Sequence, residues 1–306
     1  MSTADLKRRP TSAGTAPART RRPAPRGRPA GRRRPNVLGT AVLFVLSAYF
    51  LLPAWWLLVA STKSSSDLFG SGGFWFSALH LDDNLHELAT ANNGLYFRWL
   101  LNTVLYAGVG AAAATLLAAM AGYALTKYRF RGREAVFNTI LAAVLVPAPL
   151  LALPVYLLLS EAHLVNTVWA VLLPSTVSPF GVYLSRIYAA ASVPDEILEA
   201  ARMDGAGEFR IFFTVVLRIF SPALVTVFLF QFTTIWNNFF LPLVTLSDQK
   251  LWPVNLGLYY WNGLKDHTPY NLVVTGSLVS VVPLVVAFLL LQRFWRTDLT
   301  AGGVKA

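Results

Sequence analysis

From Val37 to Ala60 the chain runs for 24 residues without a charged side chain. At about 1.5 Å per helical residue this stretch is long enough to cross a bilayer core of about 30 Å. The whole chain agrees with that reading. Of its 306 residues 55% are hydrophobic and only 13% are charged, about half of the roughly 25% usual for a soluble domain. An ordinary soluble globular protein is therefore excluded. The absence of Cys removes disulfides, thiolate metal sites and a thiol nucleophile, and leaves the redox compartment open.

The net charge of +11 sits almost entirely before this stretch. Residues 1–36 hold Lys7, Arg8, Arg9, Arg19, Arg21, Arg22, Arg26, Arg28, Arg32, Arg33 and Arg34 against one acid, Asp5. They alternate with Pro, Ala, Gly and Thr and offer no bulk to bury, so a disordered basic tail is expected. A nucleic-acid partner is not expected, because the basic charge is not on a folded face. The apolar stretch exceeds the 7–15 residues of a signal-peptide core. An uncleaved first membrane helix is the reading, with a signal peptide as the alternative.

Five further apolar stretches follow, at residues 99–125, 137–159, 167–185, 212–246 and 272–291. The first is rich in small residues (Gly108, Gly110, Ala111 to Ala114, Gly122). Small residues let helices approach closely in lipid, so this span belongs inside the bundle. The third and fourth spans carry Pro147, Pro149, Pro154, Pro174 and Pro179, which membrane helices tolerate when neighbours satisfy the freed carbonyls. The expected fold class is all-α, a polytopic membrane protein of six transmembrane helices over residues 37–306.

Six spans put both termini on one side, and the basic residues indicate which. With the tail inside, the inner segments also hold Lys127, Arg129, Arg131, Arg133, Arg186, Arg202, Arg210, Arg218, Arg293, Arg296 and Lys305. Outside remain only Lys63, Arg98, Lys250 and Lys265. The positive-inside bias predicts cytoplasmic termini in the cell membrane even when the tail is ignored. The outer segment 247–271 concentrates Trp252, Tyr259, Tyr260, Trp261 and Tyr270. It reads either as an aromatic belt at the headgroup level or as a lid or docking surface.

One inner loop, residues 192–210, differs from all the others. It gathers Asp195, Glu196, Glu199, Asp204 and Glu208 in a charge-poor chain. Ser192 and Asp195 have capping-box spacing with Pro194 between them, Glu199 and Arg202 lie at i,i+3, and Gly205 suits a helix stop at positive φ. A short helix, a sharp turn and a second helix from about Glu208 are expected. A solvated linker is the plain reading; a surface for a groove on a soluble partner is the other.

Here the sequence resembles a known family. Glu199-Ala200-Ala201, followed by Gly205 and by apolar Val215 and Leu217, is similar to the EAA motif in permease subunits of ABC importers. The string Ile197 to Ala206 resembles the carbohydrate-importing, MalG-like branch. Asn102-Thr103, Gly122-Tyr-Ala-Leu, Pro147 and Pro154 with Tyr156, Trp236-Asn237 and the ending Leu299 to Lys305 agree with it. Arg218 departs from the pattern, which has Pro there. The resemblance implies the type I ABC importer permease fold and a sugar or sugar-like solute. It also implies a second related permease, ATPase subunits and an extracytoplasmic solute-binding protein as partners. The ATPase is expected to dock on Glu199, Ala200, Ala201, Asp204 and Gly205.

This chain has no Gly-Lys pair and hence no phosphate-binding loop of that type. No catalytic residue, metal site or cofactor is assigned to it, and ATP with Mg is expected on the ATPase partner. Charges are nearly absent from the spans, which disfavours the alternative of a stand-alone ion-coupled carrier. Gln231, Trp236, Asn237 and Asn238 offer the amides and rings that a sugar requires, and are the candidate cavity-lining residues. Helix–helix hydrogen bonding is the competing reading for them.

Overall fold

The computed structural model describes residues 37–264, 268–292 and 294. The basic tail, Lys265, His267, Arg293, Arg296 and the segment Leu299 to Lys305 lie outside the described residues. Every element is helical: α1 Val37–Ser61, α2 Ser65–Gly70, α3 Leu81–Thr90, α4 Leu95–Lys127, α5 Arg133–Val144, α6 Ala148–Glu161, α7 Trp169–Ser175, α8 Pro179–Ser192, α9 Asp195–Met203, α10 Glu208–Ile211, α11 Leu217–Ile219, α12 Ser221–Trp236, α13 Phe240–Thr245, α14 Val254–Asn262 and α15 Tyr270–Leu291. No strand occurs among the described residues. The chain divides into two compact units between Tyr49 and Phe50, inside α1. Of the first unit only the helical stretch 37–49 is described, and it is almost wholly exposed. The packing below concerns residues from Phe50 onward.

Among the described residues three helical stretches are long and apolar enough to cross a membrane: Val37–Ser61, Leu81–Lys127 and Tyr270–Leu291. Two bent pairs raise the count to five at most: α5 with α6, and the helix through Glu208–Ile219 with α12, which meet at 82°. The expected count of six spans is therefore not matched one for one among the described residues. The fourth, 167–185, is made of α7 and α8, each too short to qualify. Pro174 near the end of α7 and Pro179 at the start of α8 interrupt the ladder, and the Ser178 hydroxyl accepts from Gly181 N at 3.1 Å to start α8 afresh.

Large apolar side chains on these helices point outward, the inverse of a soluble protein; Leu101, Leu150, Leu153 and Leu158 are examples. Mid-helix hydroxyls bond back within their own helix, Thr115 to Ala111 O and Ser175 to Val171 O. These buried hydroxyls therefore leave no unsatisfied donor among the packed helices.

Helix α4 occupies the middle of the second unit, as its small residues predict. Ala107, Ala111, Ala114, Ala118 and Ala119 are buried against α7, α8 and α12. At Gly122 a Cβ would stand 2.5 Å from Ser185 Cβ and 2.7 Å from the Arg186 backbone nitrogen. Hydrogen in place of a side chain lets α4 and α8 touch backbone to backbone.

The segment 247–264 is bound to the start of α4. The Asn102 amide donates to Lys250 O and Trp252 O at 2.9 and 3.0 Å, and Thr103 Oγ1 accepts from Val254 N at 2.8 Å. Trp99 and Trp261 are packed inside, with Gly257 pressed on the Trp99 ring. Tyr259 and Tyr260 remain exposed. The aromatic segment 247–264 is thus in part a core of its own and in part exposed surface.

Candidate functional site

The loop 192–210 forms a knob whose two faces differ. Its helix, α9, begins at Asp195 with Pro194 preceding it. The Ser192 cap expected from sequence does not form, because α8 runs on through Ser192 and only Val193 and Pro194 separate the two helices. Asp195 and Glu196 fill the first turn and Arg202 the last, which suits the helix dipole at both ends.

The end of α9 matches the expectation in detail. Gly205 has φ +78°. Its N–H donates to Arg202 O, and the Ala206 N–H donates to Ala201 O, both at 3.0 Å. These two bonds are those of a Schellman stop, with glycine where the left-handed residue must sit. No atom lies within 4 Å of a Cβ added there. The glycine is required by conformation, not by space.

The inner face of α9 is apolar. Leu198 is 2% exposed and packs with Val193, Ile211 and Phe212 against Ala119 and Tyr123 of α4. Ala201 and Ala206 pack at the edge of this cluster. Two polar links join the same elements. Lys127 Nζ donates to Asp195 Oδ1 at 2.7 Å and to Val193 O. The Tyr128 hydroxyl donates to Glu208 Oε2, and Arg202 Nε donates to Glu208 Oε1 at 2.7 Å. Exposed ion pairs contribute about 0–1 kcal/mol each, whereas truncating a buried Leu costs about 2–5 kcal/mol. The apolar contact therefore carries the joint and the charges set its register.

The Lys127 ammonium holds the Asp195 carboxyl below the usual carboxylate range. The Glu208 carboxylate likewise raises Arg202. Sequence reasoning missed Lys127, Tyr128 and Glu208 as partners of α9, since the two links from the end of α4 bridge 68 and 80 positions. It also paired Arg202 with Glu199, but Arg202 turns to Glu208 instead. One step back, Arg186 Nη2 of α8 donates to both carboxylate oxygens of Glu134 of α5 at 2.7 and 2.9 Å, and the guanidinium lies 3.9 Å over the Phe137 ring.

The outer face carries Glu199 and Ala200, both exposed, with Ile197 43%, Met203 88% and Phe209 74% exposed around them. The Asp204 N–H closes α9 by donating to Ala200 O. Beyond α10 the chain takes a π-helical turn, Phe212–Val216, with Val216 buried and Val215 and Leu217 half-buried. Arg218 is exposed, and the 82° bend follows it at once, before Pro222. The bend is made without a proline at 218.

The four candidate cavity residues occupy the far end of α12. Gln231 Nε2 donates to Ser175 O at 3.2 Å. Trp236 is 3% exposed, stacked near Phe232, and its carbonyl accepts from Asn255. Asn237 is exposed and its amide caps α12 through Thr233 O; Asn238 is half-buried. Among the described residues no three His, Asp or Glu side chains converge as metal ligands.

Residues 114–297, which contain both α9 and α12, match the model of the family described as binding-protein-dependent transport system inner membrane component. An arabinooligosaccharides transport system permease protein of Halalkalibacterium halodurans is 36% identical over 81% of this chain and 89% of its own length. Its counterpart in Bacillus subtilis is 32% identical over 87% of this chain and 94% of its own. Among solved structures, a bacterial ABC transporter that imports the acidic polysaccharide alginate superposes with a TM-score of 0.73 at 21% identity, over 84% of this chain and 95% of that one. Family, membrane helices and fold converge: the chain belongs to the inner membrane components of binding-protein-dependent transport systems.

Proposed function

We propose that this chain is one of two permease subunits of an ATP-driven importer, and that its solute is a sugar or oligosaccharide. The names of its relatives, which include arabinooligosaccharide and melibiose/raffinose/stachyose permeases, support the solute class. In this reading both termini and the α9 loop are cytoplasmic, and an extracytoplasmic binding protein delivers solute at the opposite face. ATP and Mg are bound by separate ATPase subunits, and the α9 loop is where those subunits act.

The observation that carries the proposal is the double attachment of α9 to α4. The outer face of α9 is free for a partner, while its inner face packs with Ala119 and Tyr123 of α4, its start is tied to Lys127, and its end is tied through Arg202 and Glu208 to Tyr128 just past α4. A push on Glu199, Ala200 and Met203 is therefore delivered to α4. Helix α4 in turn packs on α7, α8 and α12 along its length, so the displacement reaches the amides at the end of α12. There Asn237 and Asn238 present hydrogen-bonding groups to solute, while Gln231 and Trp236 hold the helix end in position behind them.

The test is charge reversal on the free face. Glu199→Lys leaves the apolar joint and the spans untouched. It should reduce co-purification of the ATPase subunits or abolish stimulation of ATP hydrolysis by solute-loaded binding protein in proteoliposomes. Full stimulation and uptake by this variant would make the loop a solvated linker and remove the main support for the proposal.

A further inference from the structure

At the other end of α4, a helix of 33 residues and so about 50 Å long, the segment between α2 and α3 is built inside out. Its polar groups turn inward. Lys63 is 1% exposed, and its ammonium donates to Ser71 Oγ at 2.8 Å and Gly72 O at 2.7 Å. Ser77 Oγ donates to Asp67 Oδ2 at 3.2 Å. Its rings turn outward: Phe69, Phe74, Trp75 and Phe76 are exposed, Trp75 by 75%, and Leu79 follows at 68%. Between Lys63 and Asp82, Asp67 is the one charged residue in the sequence.

We propose that the segment 69–79 is an interfacial anchor, seating its rings at the headgroup–acyl boundary of the lipid leaflet at this end of the bundle. The level is set by two membrane-crossing helices. Trp55, in the last turns of α1, donates its indole N–H to Phe74 O at 3.1 Å and meets the Phe76 ring edge-on at 5.6 Å. Tyr270, the first residue of α15, meets the Phe69 ring edge-on at 5.0 Å. The segment therefore spans from where one apolar helix ends to where another begins, and its exposed surface continues that of the second half of α1. The boundary selects an apolar ring with a polar tip such as Trp75, and the Phe rings beside it add apolar area on the acyl side. A reversible protein-docking face has a charged rim to steer encounter; here the single carboxylate faces Ser77 instead. Fixing Lys63 and Ser77 from within leaves the rings ordered before they meet lipid.

The chain has no Cys, so one introduced thiol reports on one position. Trp75→Cys, Leu79→Cys and the exposed control Asp82→Cys on α3 are labelled with an environment-sensitive dye in the assembled complex, in phosphatidylcholine nanodiscs. The wild-type chain sets the background. At 75 and 79 the dye should emit to the blue of position 82, be quenched by lipid bearing a doxyl group high on the acyl chain, and be shielded several-fold from aqueous iodide. A depth of about 5–10 Å is expected of such an anchor. Iodide access at 75 and 79 equal to that at 82 overturns the proposal. So does shielding without lipid quenching, which means cover by a partner subunit. A spectrum that shifts only on adding binding protein overturns it as well and assigns the face to that protein.

Discussion

Replacing Gly205 separates conformation from bulk at the proposed ATPase contact. The backbone there is left-handed, at φ +78°, and nothing stands within 4 Å of a new Cβ. Any penalty must therefore come from φ alone, which for a non-glycine residue held in such a region is about 1–3 kcal/mol. Asn tolerates the left-handed region better than Ala, and a β-branched residue tolerates it least. If the strain is relieved only when the Schellman stop opens and Met203 and Asp204 move, the full penalty falls on docking. At about 1.4 kcal/mol per factor of ten, the ATPase subunit should bind roughly 5- to 150-fold more weakly. The expected order of affinity is Gly, then Asn, then Ala, then Val. The assay is titration of ATPase subunit onto permease in nanodiscs, with solute-stimulated hydrolysis as second readout. Wild-type affinity for Gly205→Val, or weaker binding by Asn than by Val, would refute the reasoning.

Other residues give independent tests. Gly122→Val places its Cβ within 2.8 Å of Ser185 and Arg186 atoms, including backbone. Overpacking of this kind costs about 1–3 kcal/mol or more, and the variant should unfold at lower temperature in detergent with the α4–α8 contact opened. Asn102→Ala leaves Lys250 O and Trp252 O without their Asn102 donor, at about 0.5–1.5 kcal/mol per bond; cleavage by added protease within 247–253 should increase. The Lys127–Asp195 link has a defined pH dependence. Because the folded Asp195 carboxyl is held below its ordinary value, the link is fully present above the ordinary Asp pKa of about 3.9 and is lost as pH falls through the lowered one. Lys127→Met should therefore reduce hydrogen-exchange protection of α9 at pH 7 relative to wild type, and the difference should shrink well below pH 4 to the part carried by the Lys127 bond to Val193 O. A full difference that persists there would show that the Asp195 ion pair is dispensable and that Lys127 acts through its bond to Val193 O or its packing.

Local chemistry makes much of this protein legible in its amino-acid sequence. An uncharged run such as Val37–Ala60 has no stable alternative to lipid, and the Ala and Gly of residues 107–122 have no role in lipid except close packing. The stop at Gly205 is likewise readable, because a left-handed residue after a helix with acids at its start and a base at its end is a property of a dozen neighbouring residues. The failures share one cause. Ser192 loses its capping role because α8 continues across it, and Arg202 abandons Glu199 for Glu208 because the turn at Gly205 brings α10 back alongside α9. Lys127 and Tyr128 reach the loop only because α4 ends beneath it. The fourth span is broken at 176–178, where prolines on either side and a new cap at Ser178 outweigh an apolar composition that looks continuous. Charge, hydropathy and turn residues act over a few positions and are written in the sequence. Which charges meet, which helix bends and which aromatic ring is inside or outside depend on segments roughly 60 to 200 positions apart, and those are decided only when the helices pack.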